Sequence, residues 1–398
     1  MAPIPAVARP ASASTLERIE WAMNGVNIEI PSWGFVNTGT RFRVFPQEGV
    51  PRNVFEKLDD AATVNRYTGI AGSLSLHIPW DKVDDYDALN AFAADHGVRI
   101  GTVNSNTFQD EDFKLGSLCN PTASIRAKAV QHNLDCIEVM TATGSRDLKI
   151  WLADGTNYPG QDDIRGRQER LAEGLAQIYA GLGPDQRIVL EYKFFEPSFY
   201  TTDVPDWGTS LLHCLALGPK AYVCLDTGHH APGTNIEFIV AQLLRQNRLG
   251  SFDFNSRFYA DDDLIVGAAD PFQLFRILYE VVRGGGLENP DVTLMLDQCH
   301  NIEPHIQGQL RSVLNVQEML AKVLLVDNEA LAAAQKAGDV LGANGIFMDA
   351  FYTDVRADLA DWRESRGLPR DPIATFIASG YQAGIEAERI GGKQSGWN

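Results

Sequence analysis

Residues 187–193 read RIVLEYK and residues 221–230 read AYVCLDTGHH. Each begins as a short apolar run with β-branched members, the form of a strand buried on both faces. Each ends in chemistry, Glu191 with Lys193 in the first and Asp226 with His229 in the second. The form recurs in NIEIPSWG (27–34), SLSLHIP (73–79), VRIGTVN (98–104), LKIWLAD (148–154), GSFDFN (250–255) and VTLMLD (292–297). Trp33, His77, Asn104, Trp151, Asp253 with Asn255, and Asp297 stand at or near the ends of these six. Segments of helical period separate them, among them 52–67, 85–97, 165–183, 235–250 and 270–286, and several close on glycine as helix C-termini do. Strand–helix alternation demands a parallel sheet. About eight units favour closure into a (β/α)8 barrel, an α/β fold whose C-terminal strand ends form one mouth, over an open doubly wound sheet.

Residues 16–305 carry this pattern and are assigned to the catalytic barrel. Residues 306–398 are mostly helical and exceed what a barrel needs, so they read as a C-terminal extension, expected to form an oligomer contact rather than a cap on the same barrel. Residues 1–15 begin MAPIPAVARPASAS and lack a continuous apolar core, which suits a flexible tail and not a secretory signal. No apolar stretch is long enough to span a bilayer, so no membrane partner is expected. The net charge of −18 repels polyanions, and no Lys/Arg cluster offsets it, which argues against nucleic acid. Cys119, Cys136, Cys214, Cys224 and Cys299 are odd in number and unpaired in spacing, as expected of reduced thiols in a cytoplasmic protein.

Glu191 and Lys193 are two apart, so strand periodicity puts both on one face, here the inside of the barrel. A carboxylate buried beside an ammonium is usually paired or bound to a metal; an inert ion pair is the plain alternative. Asp226 and His229 flank a Gly turn and can face one cavity, with His230 placed to orient His229. Asp261, Asp262 and Asp263 follow Asp253 and Asn255; the first and third can point together, a pair suited to a hard divalent cation, while the second points outward. With Asp297, these oxygen-rich donors and one imidazole suit Mn²⁺, Co²⁺ or Mg²⁺ better than structural zinc. More donors converge than one ion needs, which implies two ions. His77 with Trp33, Trp80 and Trp151 supplies the aromatic faces that a sugar ring packs against.

The stretches SWGFVNTGTRF (32–42), LHIPWDK (76–82), NSNTF (104–108), WLADGTNYPGQ (151–161), EYKFFEPSFY (191–200), DTGHHAPGTNIE (226–237) and LDQCHN (296–301), with TDV and DPIATFIASGY towards the C-terminus, resemble L-rhamnose isomerases of the broad-specificity bacterial subtype. Those enzymes belong to the xylose-isomerase-like TIM barrels, and the resemblance covers nearly the whole chain. It implies metal-dependent aldose–ketose isomerisation of a free sugar, with two divalent ions per subunit, manganese foremost. Glu191, Asp226, Asp253 and Asp297 would hold the ion that grips substrate hydroxyls. His229, Asp261 and Asp263, sharing Glu191, would hold the catalytic ion. Lys193 would bind the substrate oxygen near the carbonyl, His77 would assist ring opening, and Asp261 and Asp297 would serve the catalytic step. Trp33, Trp80, Asn104, Trp151 and Asn255 would line the substrate pocket. Phe42 would reach a neighbouring subunit's site, which implies a homotetramer or at least a dimer. One motif departs from the resemblance: those enzymes typically read FHFND where this chain reads FDFNS, so Asp253 replaces a histidine and should favour a harder ion. A ketose 3-epimerase of the same superfamily and a non-catalytic sugar-binding protein are the alternatives.

Overall fold

A computed structural model describes residues 14–259 and 261–391. Eight parallel strands close into a barrel: β1 (Ile28–Pro31), β2 (Ser73–Ile78), β3 (Arg99–Asn106), β4 (Asp147–Trp151), β5 (Arg187–Glu191), β6 (Ala221–Asp226), β7 (Leu249–Phe254) and β8 (Thr293–Leu296). β1 pairs with both β2 and β8, so the sheet has no edge. The strands are almost wholly buried, because helices cover the outside while inward side chains fill the lumen.

α1 (Thr15–Gly25) precedes the barrel. The ring helices are α2 (Val54–Thr68), α3 (Tyr86–Asp95), α4 (Ala123–Thr143), α5 (Ile164–Ala180), α6 (Trp207–Leu217), α7 (Ile236–Arg245), α8 (Pro271–Arg283) and α9 (His305–Val323). Local chemistry sets their starts. The side chains of Asn53, Asp85, Asp163, Asp206 and Asp270 accept from first-turn amides that the helix leaves unpaired. α9 packs between α8 and α2. It therefore stands where the eighth barrel helix belongs, and residues 306–323, read from sequence as extension, complete the ring.

The extension proper comprises α10 (Asn328–Ala337), α11 (Val340–Tyr352), α12 (Arg356–Ser365), α13 (Pro372–Ser379) and α14 (Tyr381–Glu388). It wraps this chain's own α1, α2 and α9. Its end is tied down by Arg389, whose guanidinium donates to buried Asp60 at 2.7 and 3.0 Å. The N-terminal stretch expected as a tail lies outside the described residues except for Ser14, which caps α1, and Thr15, which begins it. All five cysteines are free and buried, as expected. Among the described residues, no helix is long and apolar enough to cross a membrane.

Candidate metal and sugar site

The strand ends gather the carboxylates. Glu191 closes β5, Asp226 closes β6, Asp253 is the last residue but one of β7, and Asp297 directly follows β8. Register places Asp226 beside Asp253 and Asp253 beside Met295. Ligand atoms of Asp226, Asp253 and Asp297 lie within 4.8 Å of one another, as do those of Glu191, Asp226 and His229. His229 Nδ1 stands 3.0 Å from the Tyr192 carbonyl, which can only accept, so that nitrogen carries the proton. Nε2 is thereby directed into the cluster, 2.8 Å from Asp261 Oδ1.

Asp261 and Asp263 arrive on the loop after β7, both at positive φ (52° and 48°), a conformation that aspartate tolerates better than most side chains. The Asp262 carboxylate turns back to accept the Phe258 and Tyr259 amides at 2.5 and 3.1 Å. Lys193 lies two residues beyond the end of β5, not within the strand as its sequence suggested. Its ammonium sits between Asp261 (2.5 Å) and Glu196 (2.7 Å), 5.1 Å from the centre of the Trp151 ring.

Crowding of like charge sets the ionisation. Burial, with Asp253 adding, pushes the Glu191 carboxyl up to about 7, against the pull of His229. Burial and neighbouring carboxylates push Asp226, Asp263 and Asp297 up as well. Burial would also raise Asp261, but Lys193 and His229 outweigh it and hold that carboxyl below the usual range. Burial opposes the positive form of His229, yet Asp226 and Asp261 hold its pKa well above the usual value. Six carboxylates thus face three groups able to carry positive charge: Lys149, Lys193 and His229. An oxygen-rich, over-negative donor set with one imidazole fits hard divalent cations.

Aromatic rings wall the mouth. His77 stacks on Trp80 with centroids 3.7 Å apart and meets Trp33 edge-on at 5.5 Å. Phe108 meets Trp151 at 4.7 Å. Burial, with Lys57 adding, holds the His77 imidazole neutral, and its Nδ1 has no hydrogen-bond partner among the described residues. Trp33, which the sequence placed in a strand, sits in a 3₁₀ turn (Ser32–Phe35) and donates from Nε1 to Asp297 at 2.6 Å. A cavity of about 380 Å³ opens over Asp261–Asp263 and is lined also by Gly39, Thr40, Cys299 and His300. A second cavity, about 360 Å³, lies at the other end of the barrel around Glu29, Arg99 and Asp147, away from this chemistry.

Four sequence-named residues stand elsewhere than expected or make other contacts. The Asn104 amide is spent on Ser75 Oγ (2.5 Å) and the Leu76 carbonyl (2.9 Å), because β3 runs on to Asn106 and leaves Asn104 inside the strand. Asn255 Nδ2 donates to both Asp226 oxygens (3.0 and 3.2 Å) and so fixes that carboxylate. Phe42 is 80% exposed on the hairpin formed by Thr38–Thr40 and Arg43–Phe45. His230, read as an orienter of His229, instead shares a 2.7 Å hydrogen bond with the Tyr192 hydroxyl. Sequence reasoning passed over Lys149, which pairs with Asp253, and the buried Lys57–Asp81 pair (2.6 Å) behind His77. It also passed over Phe108. The one available signal was a lysine inside the apolar run LKIW.

Comparison with known proteins gives relatives along nearly the full length. The chain is 41% identical to a probable sugar isomerase of Rhizobium meliloti (strain 1021), over 94% of this chain and 89% of that protein. It is 42% identical to a probable sugar isomerase of Mesorhizobium japonicum (strain LMG 29417 / CECT 9101 / MAFF 303099), over 91% and 86%. A xylose isomerase of Thermus thermophilus matches at 26% over 49% of this chain and 52% of its own. Among solved structures, an L-ribulose 3-epimerase superposes with a TM-score of 0.52 at 14% identity, covering 82% of this chain and 97% of its own. A D-allulose 3-epimerase of Methylomonas sp. gives 0.53 at 13%, covering 73% and 95%. At such identities these two speak for the barrel alone. No protein-family model matches.

Proposed function

The chain belongs to the family of these probable sugar isomerases, and from that premise we propose a metal-dependent aldose–ketose isomerase acting on a free sugar, L-rhamnose or a related aldose such as L-mannose, L-lyxose, D-allose or D-ribose. The observation that carries this reading is the convergence of Glu191, Asp226, Asp253, Asp297 and His229 at one barrel mouth, with Lys193 beside Asp261.

Glu191, Asp226, Asp253 and Asp297 would hold one ion, and Glu191, His229, Asp261 and Asp263 a second, with Mn²⁺ favoured and Co²⁺ or Mg²⁺ as alternatives. Bound there, such ions supply Lewis acidity to the vicinal oxygens of an open-chain sugar. The protein does the rest. The neutral His77 ring, set between Trp33 and Trp80, is placed to handle the proton shuffled on ring opening. Trp33, Trp80, Phe108 and Trp151 bind the sugar's apolar face and keep water out. Lys193 is held charged between two carboxylates and donates to the oxygen at the reacting carbonyl. Asp261, kept ionised, can hold by a hydrogen bond the water that moves the proton between the two substrate oxygens while hydride moves from C2 to C1. The exposed Phe42 hairpin at the mouth suits completion of a neighbour's site in a homotetramer. The buried thiols suit a cytoplasmic setting.

The test is a ketose assay on metal-stripped protein across that panel of aldoses plus D-xylose, with Mn²⁺, Co²⁺ or Mg²⁺ restored. Metal-restored conversion of an aldose is the expected result. No conversion of any aldose with metal bound would overturn the reading in favour of an epimerase or a sugar-binding protein.

A further inference from the structure

Lys149 belongs to β4, yet its side chain crosses the lumen to β7. It is 2% exposed. Its neighbours along the sheet are Asn104 of β3 and Val189 of β5. Its ammonium donates to Asp253 Oδ1 and lies 3.3 Å from Met295 Sδ. Asp253 is the same residue whose carboxylate stands among the donors with Asp226 and Asp297, and with Glu191 and Cys224. One of its two oxygens is therefore engaged from below by a fixed cation, in a charge-assisted hydrogen bond. An ion at the mouth that used both oxygens would have to share one of them with this ammonium.

Carboxylate denticity separates divalent cations. Calcium takes six to eight oxygens and readily uses a carboxylate through both, whereas magnesium-sized ions take six ligands and use one oxygen of each. Resting on the isomerase reading, we propose that Lys149 is a positioning residue that makes Asp253 a one-oxygen ligand and so sets the site's preference for small six-coordinate ions over Ca²⁺. A second consequence follows from the same geometry. The ammonium cancels the charge that Asp253 brings, so this cluster carries one unit less negative charge than its carboxylates alone would give.

The experiment is direct binding of Mn²⁺ and of Ca²⁺ to metal-stripped wild type, K149M and K149Q, by calorimetry and by the electron-spin resonance of free Mn²⁺. Methionine keeps the chain volume and removes the donor, whereas glutamine keeps an N–H donor without the charge. K149M should narrow the Mn²⁺-over-Ca²⁺ preference by roughly ten-fold, the scale of one charge-assisted hydrogen bond. K149Q should narrow it less. A role in folding alone would move stability and leave the ratio of the two affinities untouched. Wild type that binds Mn²⁺ while both variants keep its preference would overturn this inference and spare the isomerase reading. Wild type that binds no divalent cation would overturn the parent reading and this one with it. If K149M does not fold, a wild-type ratio in K149Q is sufficient to refute the role.

Discussion

Consider Glu191→Gln in the metal-free protein. The Glu191 carboxyl moves from an ordinary 4.5 up to about 7 because it is buried beside Asp253. An acid whose folded pKa is raised stabilises the fold fully below its unfolded pKa and loses that contribution as pH rises through the folded value. At pH 5 the folded carboxyl is protonated and resembles the amide of glutamine. At pH 8 it is ionised among Asp226 and Asp253, and glutamine is not. The difference of about 2.5 units corresponds to ~3 kcal/mol, or roughly 6 °C in Tm at about 2 °C per kcal/mol. Thermal melts in chelator from pH 5 to 8 should thus show nearly equal wild-type and E191Q values at the acid end and a clear advantage for E191Q at the alkaline end. Taking the difference between two proteins removes the buried neutral imidazoles, such as His230 and His305, which titrate in both. Saturating Mn²⁺ should reverse the order at pH 8, since a thousand-fold excess over Kd stabilises wild type by about 4.1 kcal/mol and the variant far less. Parallel melting profiles across the range would refute the claim that burial beside Asp253 raises this carboxyl.

Lys193→Met should lower kcat by about 10²-fold or more, as loss of a charged donor at a developing oxyanion does, with folding measured by circular dichroism unchanged. His77→Asn should reduce kcat/KM by roughly 10²-fold for the ring-closed sugar. The deficit should shrink at higher temperature, where more of the sugar is open-chain, and a constant deficit would argue against a ring-opening role. Lys57→Met strands Asp81, which holds the His77 backbone amide at 2.8 Å, and should destabilise the protein by ~3–5 kcal/mol in urea titration.

What the sequence made legible was whatever depends on strand periodicity. Glu191 in RIVLEYK and Asp226 in AYVCLDTGHH close their strands, although Lys193 falls two residues past its own, and a parallel barrel must bring such ends together. Asp226 and His229 followed from a Gly turn, and the outward turn of Asp262 from its place between two inward neighbours. Whatever depends on partners distant in the chain stayed hidden. Lys149 reads as an interruption in an apolar strand, because both faces of a barrel strand are buried and alternation no longer reports the inside. Its partner Asp253 is 104 residues away. Lys57 and Asp81 lie on a helix and on the loop after β2, and no local pattern pairs them. Helix α9 was assigned to the extension because an amphipathic helix has the same pattern whether it covers a barrel or another helix. Asn104 was mistaken for a strand end by two residues, which kept its side chain inside the sheet.

The most direct test follows the hydrogen at C2. Each aldose of the panel named above, deuterated at C2, should be incubated with Mn²⁺-loaded protein in ordinary water and followed by NMR. Aldose should disappear and ketose carrying the deuterium at C1 should take its place. Unchanged aldose, together with exchange of the C3 hydrogen of an added ketose into solvent, would contradict it.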